Sequence, residues 1–170
     1  MLIVVALIFI ISAVTNIITL IPYVPSKTDY LKYILRNLKR NCRSKNIRIY
    51  DLGCGDGRLL FLAEQLGFQA KGYENSIGPF LYAYLKKHFI RSKVKIVLGS
   101  LFKADLKNAD IVFIYLLPYV FDKLVPKIKK ECRKGTIIVS SGFQVPGLNF
   151  ISFKKRINHK QWPSIHYYEV

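Results

Sequence analysis

The sequence feature that most constrains the fold is the stretch Ile47–Leu60, where a strand-like run, a glycine-rich loop and a helical apolar pattern follow one another. Ile47 and Ile49 place β-branched apolar side chains at every second position, which is typical of a strand. The loop carries three glycines at alternate positions, and glycine allows positive φ angles and close approach of backbone N–H groups to a ligand. The stretch therefore predicts a strand and a glycine turn that delivers a ligand to a helix N-terminus.

The spacing of the glycines limits the ligand. A dinucleotide-binding fingerprint reads G-x-G-x-x-G, but Arg58 stands where its third glycine would be. The pattern here is Asp-x-Gly-x-Gly-x-Gly, with Asp51 at the end of the predicted strand, where a carboxylate suits a cationic or amino-bearing ligand better than a pyrophosphate. The loop that follows Asp51 consists of Gly53, Cys54, Gly55, Asp56 and Gly57.

A second acidic residue strengthens this interpretation. Glu74 ends the next predicted strand, ~20 residues past the glycines, where an acid accepts hydrogen bonds from both ribose hydroxyls of a nucleoside. Because the glycine loop and Glu74 are in register, the two together predict a nucleoside pocket.

At these residues the sequence resembles motif I of the class I S-adenosylmethionine (SAM)-dependent methyltransferases, in which this loop wraps the methionine part of the cofactor. The resemblance implies an α/β, Rossmann-like fold with a mostly parallel seven-stranded sheet and an antiparallel C-terminal strand, and it implies SAM as the cofactor. Many of these enzymes hold the adenine amino group with an acid in the turn after the third strand. Ser100 stands there, which implies a weaker adenine contact or one that moves to backbone groups.

The fourth predicted strand leads to the substrate side. Ile111–Leu116 is a continuous apolar run, typical of a central parallel strand, and ligands bind at the carboxyl edge of such sheets. Methyltransferases acting on amide or exocyclic nitrogens usually carry Asn or Asp, Pro, Pro and an aromatic residue there. This chain reads Leu116-Leu-Pro-Tyr119, and the missing leading Asn or Asp argues against a base- or glutamine-directed activity.

A narrower resemblance rests on five segments: Pro22-Tyr23-Val24-Pro25-Ser26, motif I, Gly72-Tyr-Glu74, the Leu116-Leu117 strand end and Val139-Ser140-Ser141. The chain is similar to the small archaeal protein lysine methyltransferases. It is also similar to the membrane-anchored mitochondrial lysine methyltransferases that modify the adenine nucleotide translocase and the c subunit of the ATP synthase. The similarity runs from about Pro22 to the C-terminus and implies a protein substrate with a lysine acceptor. Ser100 and Pro118-Tyr119 depart from the family pattern.

A lysine acceptor must lose a proton before it attacks, and a narrow aromatic channel lowers the pKa of an amine. Tyr23, Tyr115 and Tyr119 are the candidate catalytic residues on this ground. Two other functions stay open: methylation of a lipid, quinone or other small molecule, and a non-catalytic SAM-fold module that binds RNA or anionic head groups.

The N-terminal residues predict a membrane anchor. Leu2–Val24 contains no charged residue, and ~20 apolar residues suffice for a helix to cross a bilayer. Basic residues follow this run, which by the positive-inside rule places the N-terminus outside and the domain in the cytoplasm. The predicted organisation is an anchor at 1–22 and a methyltransferase domain at 23–170, in a single-pass membrane protein.

Composition adds a charge argument. The chain has 27 Lys and Arg against 10 Asp and Glu, a formal net charge of +17, which favours an anionic partner such as a lipid surface or nucleic acid. No basic run is dense enough for a nucleic-acid arm, which argues against nucleic acid, and Lys- and Ile-rich usage can also reflect genome composition.

The three cysteines are odd in number and lack a C-x-x-C pair, so neither a disulfide framework nor a metal site is predicted. Cys54 is expected to be a small filler in the loop.

Overall fold

The computed structural model describes residues 26–42, 44, 46–154 and 162–170 of the 170-residue chain. Within them, strands and α-helices alternate as far as the fifth strand, except that the short 3₁₀ turn Leu101–Lys103 stands between the third and fourth strands, and two further strands follow. The strands are β1 (Arg48–Leu52), β2 (Gln69–Glu74), β3 (Lys95–Leu98), β4 (Ile111–Ile114), β5 (Ile137–Ser141), β6 (Asn149–Lys154) and β7 (Ile165–Glu169). The α-helices are α1 (Thr28–Asn41), α2 (Arg58–Gln65), α3 (Ile77–Phe89) and α4 (Phe121–Glu131).

The seven strands form one sheet in the order β3-β2-β1-β4-β5-β7-β6. Neighbouring pairs from β3 to β5 are parallel, and β7 runs antiparallel to both β5 and β6. The strand order reverses at β1, because β2 and β3 lie on one side of β1 in the sheet and β4 lies on the other. The predicted Rossmann-like α/β fold, with a mostly parallel sheet and an antiparallel C-terminal strand, is confirmed.

Both faces of the sheet are covered, which explains the apolar runs in the central strands. On one face, α1 and α2 pack on Ile49 and Val139; on the other, α4 packs on Leu52 and Ile138. Strand β4 is buried at all four positions and ends at Ile114, earlier than the predicted run to Leu116. The two residues after it therefore belong to the loop at the carboxyl edge.

The apolar residues of helix α1 recur at helical spacing and form its buried face: Tyr30, Leu31, Ile34, Leu35 and Leu38. It begins at Thr28 after Lys27, and no side-chain hydrogen bond caps it.

The predicted localisation, a single-pass membrane protein with its domain in the cytoplasm, is wrong by the structure. No helix in the part of the chain that the structure describes is long and apolar enough to cross a membrane. The longest of them, α1, has 14 residues and buries one face in the core, whereas a spanning helix needs ~20 apolar residues. The predicted anchor at 1–22 and the candidate residue Tyr23 lie outside the described residues, and the domain boundary stays a prediction.

Candidate active site

A cavity of about 240 Å³ opens at the carboxyl edge of the sheet. It extends across four adjacent strands: Glu74 ends β2, Gly53 follows β1, Tyr115 follows β4, and Phe143 follows β5. Open α/β sheets bind ligands at this edge, where the strand order reverses. The cavity therefore lies where the sequence predicts the nucleoside pocket.

The glycine loop forms one wall of the cavity in a conformation that needs glycine. Gly53, Gly55 and Gly57 have φ angles of +87°, +55° and +74°, which place all three in the left-handed region. The N–H groups of Gly53 and Cys54 donate to the carbonyl of Tyr73, over 2.9 and 3.0 Å. The loop is thereby fastened to β2 and ends at Gly57, directly before α2.

Glu74 connects this loop to the next helix. The side chain is 8% exposed, and its Oε2 accepts a 2.7 Å hydrogen bond from the Gly55 N–H. Its Oε1 accepts a 2.7 Å hydrogen bond from the N–H of Ser76, the residue before α3. Because an ionised carboxylate has about four acceptor positions, Glu74 keeps capacity for the hydroxyls of a ribose.

Asp51 also lines the cavity and is 5% exposed. Burial, together with the charges of Glu74 and Asp56, raises the pKa of its carboxyl from 3.8 to about 8. A buried acid beside two others is stabilised in its charged form by a bound cation. The acidic side of the cavity therefore fits a positively charged ligand, as SAM is.

Cys54 fills the space between the loop and β2. A Cβ atom placed on Gly72 would lie 2.6 Å from Cys54 Cβ and Sγ and 2.7 Å from Leu60 Cδ1, so only glycine fits there. Cys54 is 5% exposed, and burial raises the pKa of its thiol well above the usual value. A thiol in that state is a packing group and a poor nucleophile.

Arg58 is a cavity residue that the sequence analysis used only to exclude a dinucleotide site. Its Nη2 forms an ion pair of 2.5 Å with Asp56 Oδ2, and its Nη1 donates over 2.7 Å to the carbonyl of Ser26. These contacts hold the segment before α1 against the glycine loop. No local pattern indicated this contact, because 32 residues separate Arg58 from Ser26.

The other side of the cavity is aromatic. Phe113, Tyr115 and Phe143 contribute to its lining, and Leu116 and Leu117 join them from the loop after β4. Gly142, at φ +85°, leaves room for the Tyr115 ring, since a Cβ atom there would lie 3.3 Å from Tyr115 Cε2. Behind this wall, the buried Tyr30 hydroxyl and Ser141 Oγ are hydrogen-bonded at 2.7 Å.

Three predicted site residues do not line the cavity: Gly57, Ser100 and Tyr119. Ser100 precedes the short 3₁₀ turn Leu101–Lys103, and its Oγ accepts a 3.3 Å hydrogen bond from the Phe102 N–H. Tyr119 lies in a second 3₁₀ turn and is 51% exposed. The residues that the cavity does bring together are Asp51, Gly53, Cys54, Gly55, Asp56, Glu74 and Tyr115.

Across the described ranges, no group of three or more His, Cys, Asp or Glu side chains is arranged to hold a metal ion.

The sequence around this cavity matches a known family. Residues 51–152 match the sequence model of the ANTKMT methyltransferase domain. A protein-lysine N-methyltransferase of Saccharolobus islandicus is 32% identical over 137 residues, which cover 76% of this chain and 81% of that relative.

A mammalian relative is longer than this chain. The adenine nucleotide translocase lysine N-methyltransferase of Mus musculus is 30% identical over 131 residues, covering 74% of this chain and 55% of the relative. The chain thus matches about half the length of this relative.

Solved structures agree with the family. An RNA methyltransferase from Salinibacter ruber, in complex with S-adenosyl-L-homocysteine, has a TM-score of 0.73 and 25% identity over 86% of this chain and 93% of that one. The acidic side of the cavity, with its glycine loop, fits the same class of cofactor. The chain belongs to the ANTKMT methyltransferase domain family and is a SAM-dependent methyltransferase.

Proposed function

We propose that this enzyme transfers the methyl group of SAM to the side-chain amine of a lysine in a protein. The observation that carries the proposal is a cavity with two chemically different sides on one sheet edge. Asp51, Asp56 and Glu74 lie on the side of β1 and β2, and Tyr115 and Phe143 lie on the side of β4 and β5. A charged cofactor and an apolar acceptor site thus meet at the centre of the sheet.

On the acidic side, each residue has a separate task in this proposal. Gly53 and Gly55 let the backbone approach the cofactor, Asp51 borders its amino-acid part, and Glu74 holds the ribose hydroxyls. SAM supplies a methyl group activated by the sulfonium charge. Because the displacement is in line, the protein's contribution is mainly the alignment of the two reactants.

On the aromatic side, the residues keep the acceptor amine neutral. A lysine ammonium has no free electron pair, so it must release a proton to solvent before its nitrogen bonds to the methyl carbon. Among Phe113, Tyr115 and Phe143 the charged form is poorly solvated, which lowers the pKa of the amine. Bound SAM would supply the methyl group to this neutral nitrogen and would keep the carbon–sulfur electron pair on its sulfur atom.

The relatives support lysine as the acceptor. The Saccharolobus islandicus and Mus musculus proteins are both named for lysine methylation. The loop after β4 also supports it, because Leu116-Leu-Pro-Tyr119 lacks the Asn or Asp typical of enzymes that methylate amide or base nitrogens.

RNA methylation is the second candidate, favoured by the Salinibacter ruber structure and by the net charge of +17. Methylation of a lipid or quinone is the third. All three are distinguished by one experiment: purified enzyme and methyl-labelled SAM are incubated with separate protein, lipid and RNA fractions. Label on lysine, seen by mass spectrometry as one added CH₂ unit per methyl, is the expected result.

The control is the Glu74→Ala variant, which should label every fraction much more weakly than the wild type at a limiting SAM concentration. Label in RNA or lipid alone contradicts the proposal and assigns the cavity to that acceptor.

A further inference from the structure

A second cleft, of about 360 Å³, lies on the outer side of α1, and we call it the α1 cleft. The first turns of α1 separate it from the active-site cavity. Ser26 and Leu31 face the cavity, whereas Asp29 and Lys32 line the α1 cleft. Its other lining residues are Tyr33, Arg36, Asn37, Arg40 and Trp162.

Three cations form a row along the α1 cleft. Lys32, Arg36 and Arg40 follow at intervals of four residues, so each lies ~6 Å further along the helix axis than the one before it. Within the described part of the chain, none of the three takes part in an ion pair. The row therefore presents positive charge to an outside partner.

The remaining walls give the α1 cleft a defined shape. The Trp162 ring packs against Tyr30 and Tyr33, with ring centroids 5.7 and 5.8 Å apart. Asn37 also lines the α1 cleft, and its Nδ2 atom is buried and has no hydrogen-bond acceptor among the described residues. A buried donor without an acceptor is costly, so a small turn of the Asn37 side chain toward an oxygen atom of a bound ligand would be favourable.

We propose that the α1 cleft binds acidic side chains of the protein substrate, on one side of the lysine that enters the cavity. This inference rests on the proposed function. Alternate side chains of an extended peptide are ~6.6 Å apart, close to the spacing of the cations. The stretch of α1 from Asp29 to Arg40 is ~16 Å long, which about five extended residues would cover.

The position of Asp29 defines the expected motif further. Asp29 lies at the end of the α1 cleft nearest the cavity, and it repels an acid placed directly beside the acceptor lysine. The acids should therefore be several residues away, opposite Arg36 and Arg40, whose guanidinium groups pair with carboxylates through two hydrogen bonds. A peptide can leave its residue opposite Asp29 neutral, whereas an unbroken phosphate backbone cannot, which favours a peptide over RNA.

The test measures binding without requiring methylation. Fluorescein-labelled peptides with a central lysine carry either Asp or Asn at alternate positions on one side, and fluorescence anisotropy reports their affinity for the whole chain at low salt. The Asp peptide should bind about tenfold more tightly than the Asn peptide. In Arg36→Glu/Arg40→Glu this preference should disappear.

The matched control is Lys123→Glu/Lys130→Glu, which makes the same charge change at exposed positions of α4, on the opposite face of the sheet. It should keep the preference for the Asp peptide. Binding of S-adenosylhomocysteine should be unchanged in both variants, which shows that they are folded.

Three results overturn the inference. The first is that the Asp peptide binds no more tightly than the Asn peptide, and the second is that the α4 control loses this preference as fully as the α1 variant. The third is that an oligouridylate binds the wild type as tightly as the Asp peptide and that its binding is lost in the α1 variant. The last result assigns the α1 cleft to RNA. Methylation of the same peptides is measured separately, so a peptide that binds with the expected preference but gains no methyl group supports the α1 cleft and counts against the proposed function alone.

Discussion

Glu74 accepts a 2.7 Å hydrogen bond from the backbone N–H of Gly55 through its Oε2 atom. Its second oxygen accepts a bond of equal length from the Ser76 N–H. One carboxylate thus joins the glycine loop after β1 to the start of α3. The proposed ribose-binding residue also fixes the loop that approaches the cofactor, so a change at Glu74 acts on both.

Replacing Glu74 with alanine should lower SAM affinity by ~2–4 kcal/mol, because one or two hydrogen bonds to a charged group are lost. Calorimetric titration with SAM measures the change. The control is Asp122→Ala, which removes an exposed carboxylate of α4 and should leave the affinity unchanged. Equal affinities for wild type and Glu74→Ala would remove Glu74 from the cofactor site.

Gly72→Ala should destabilise the protein by ~1–3 kcal/mol, since the new Cβ would lie 2.6 Å from Cys54. Urea unfolding gives the change in free energy. The double variant Cys54→Gly/Gly72→Ala removes both contacts with Cys54 and leaves only the flexible end of Leu60. If the close packing is the cause, the double variant should unfold less easily than the sum of the two single changes predicts. Strict additivity would argue for another cause.

Local patterns were sufficient for the central strands of the sheet and for the position of the glycine loop. Each depends on residues close in sequence: a strand, a turn at Gly53 and a helix follow one another directly, and Glu74 ends the adjacent strand. These elements position the acidic side of the cavity. On the acidic side, the residues that line the cavity therefore come from segments that follow one another in the sequence.

Contacts between distant segments could not be predicted in this way. The carbonyl of Ser26 accepts a hydrogen bond from Arg58, 32 residues further along the chain. Phe143 follows β5 and reaches the cavity only because β5 pairs with β4. Such positions depend on strand order, which no short motif encodes.

Tyr115 and Tyr119 are separated by the structure and provide a direct test of the acceptor side. Tyr115 lines the cavity, while Tyr119 is 51% exposed in a turn outside it. Tyr115→Ala should lower kcat by at least about tenfold with SAM affinity nearly unchanged, because the aromatic wall aligns the acceptor. Tyr119→Ala should have the smaller effect. Steady-state kinetics with SAM titrations compare the two, and a larger loss in Tyr119→Ala would move the acceptor site toward the 3₁₀ turn.

Arg58→Ala should weaken SAM binding although Arg58 is not assigned to the cofactor. The change removes the ion pair with Asp56 and releases the Ser26 carbonyl, so the loop wall loses its support. Arg58→Lys keeps the charge but cannot reach both partners with the same planar geometry, and it should rescue the affinity only in part. Hydrogen exchange of residues 53–58 measures the loosening independently, and unchanged protection in Arg58→Ala would contradict this role.

The ionisation of Asp51 should make stability depend on pH. Its pKa rises from 3.8 to about 8 on folding, mainly because the carboxyl is buried. Between these values the unfolded chain has lost the proton and the native state still holds it, so stability falls as pH rises. One such proton contributes a slope of up to ~1.4 kcal/mol per pH unit. Asp51→Asn should remove this slope, and urea unfolding of both proteins from pH 5 to 8 measures it. Parallel curves would contradict the assignment.

SAM binding should reverse this protonation. The cofactor is a cation, and its binding beside Asp51 favours the carboxylate, so the native protein must release a proton when SAM binds below the pKa of about 8. SAM affinity should then rise with pH, by up to about tenfold per unit, and level off near pH 8. Calorimetry in buffers of different ionisation enthalpy counts the released protons directly. In Asp51→Asn the proton release should be absent and SAM binding should be weak at every pH, because the amide carries no charge to neutralise the cofactor. If the binding enthalpy of the wild type does not depend on the buffer, Asp51 does not ionise when SAM binds.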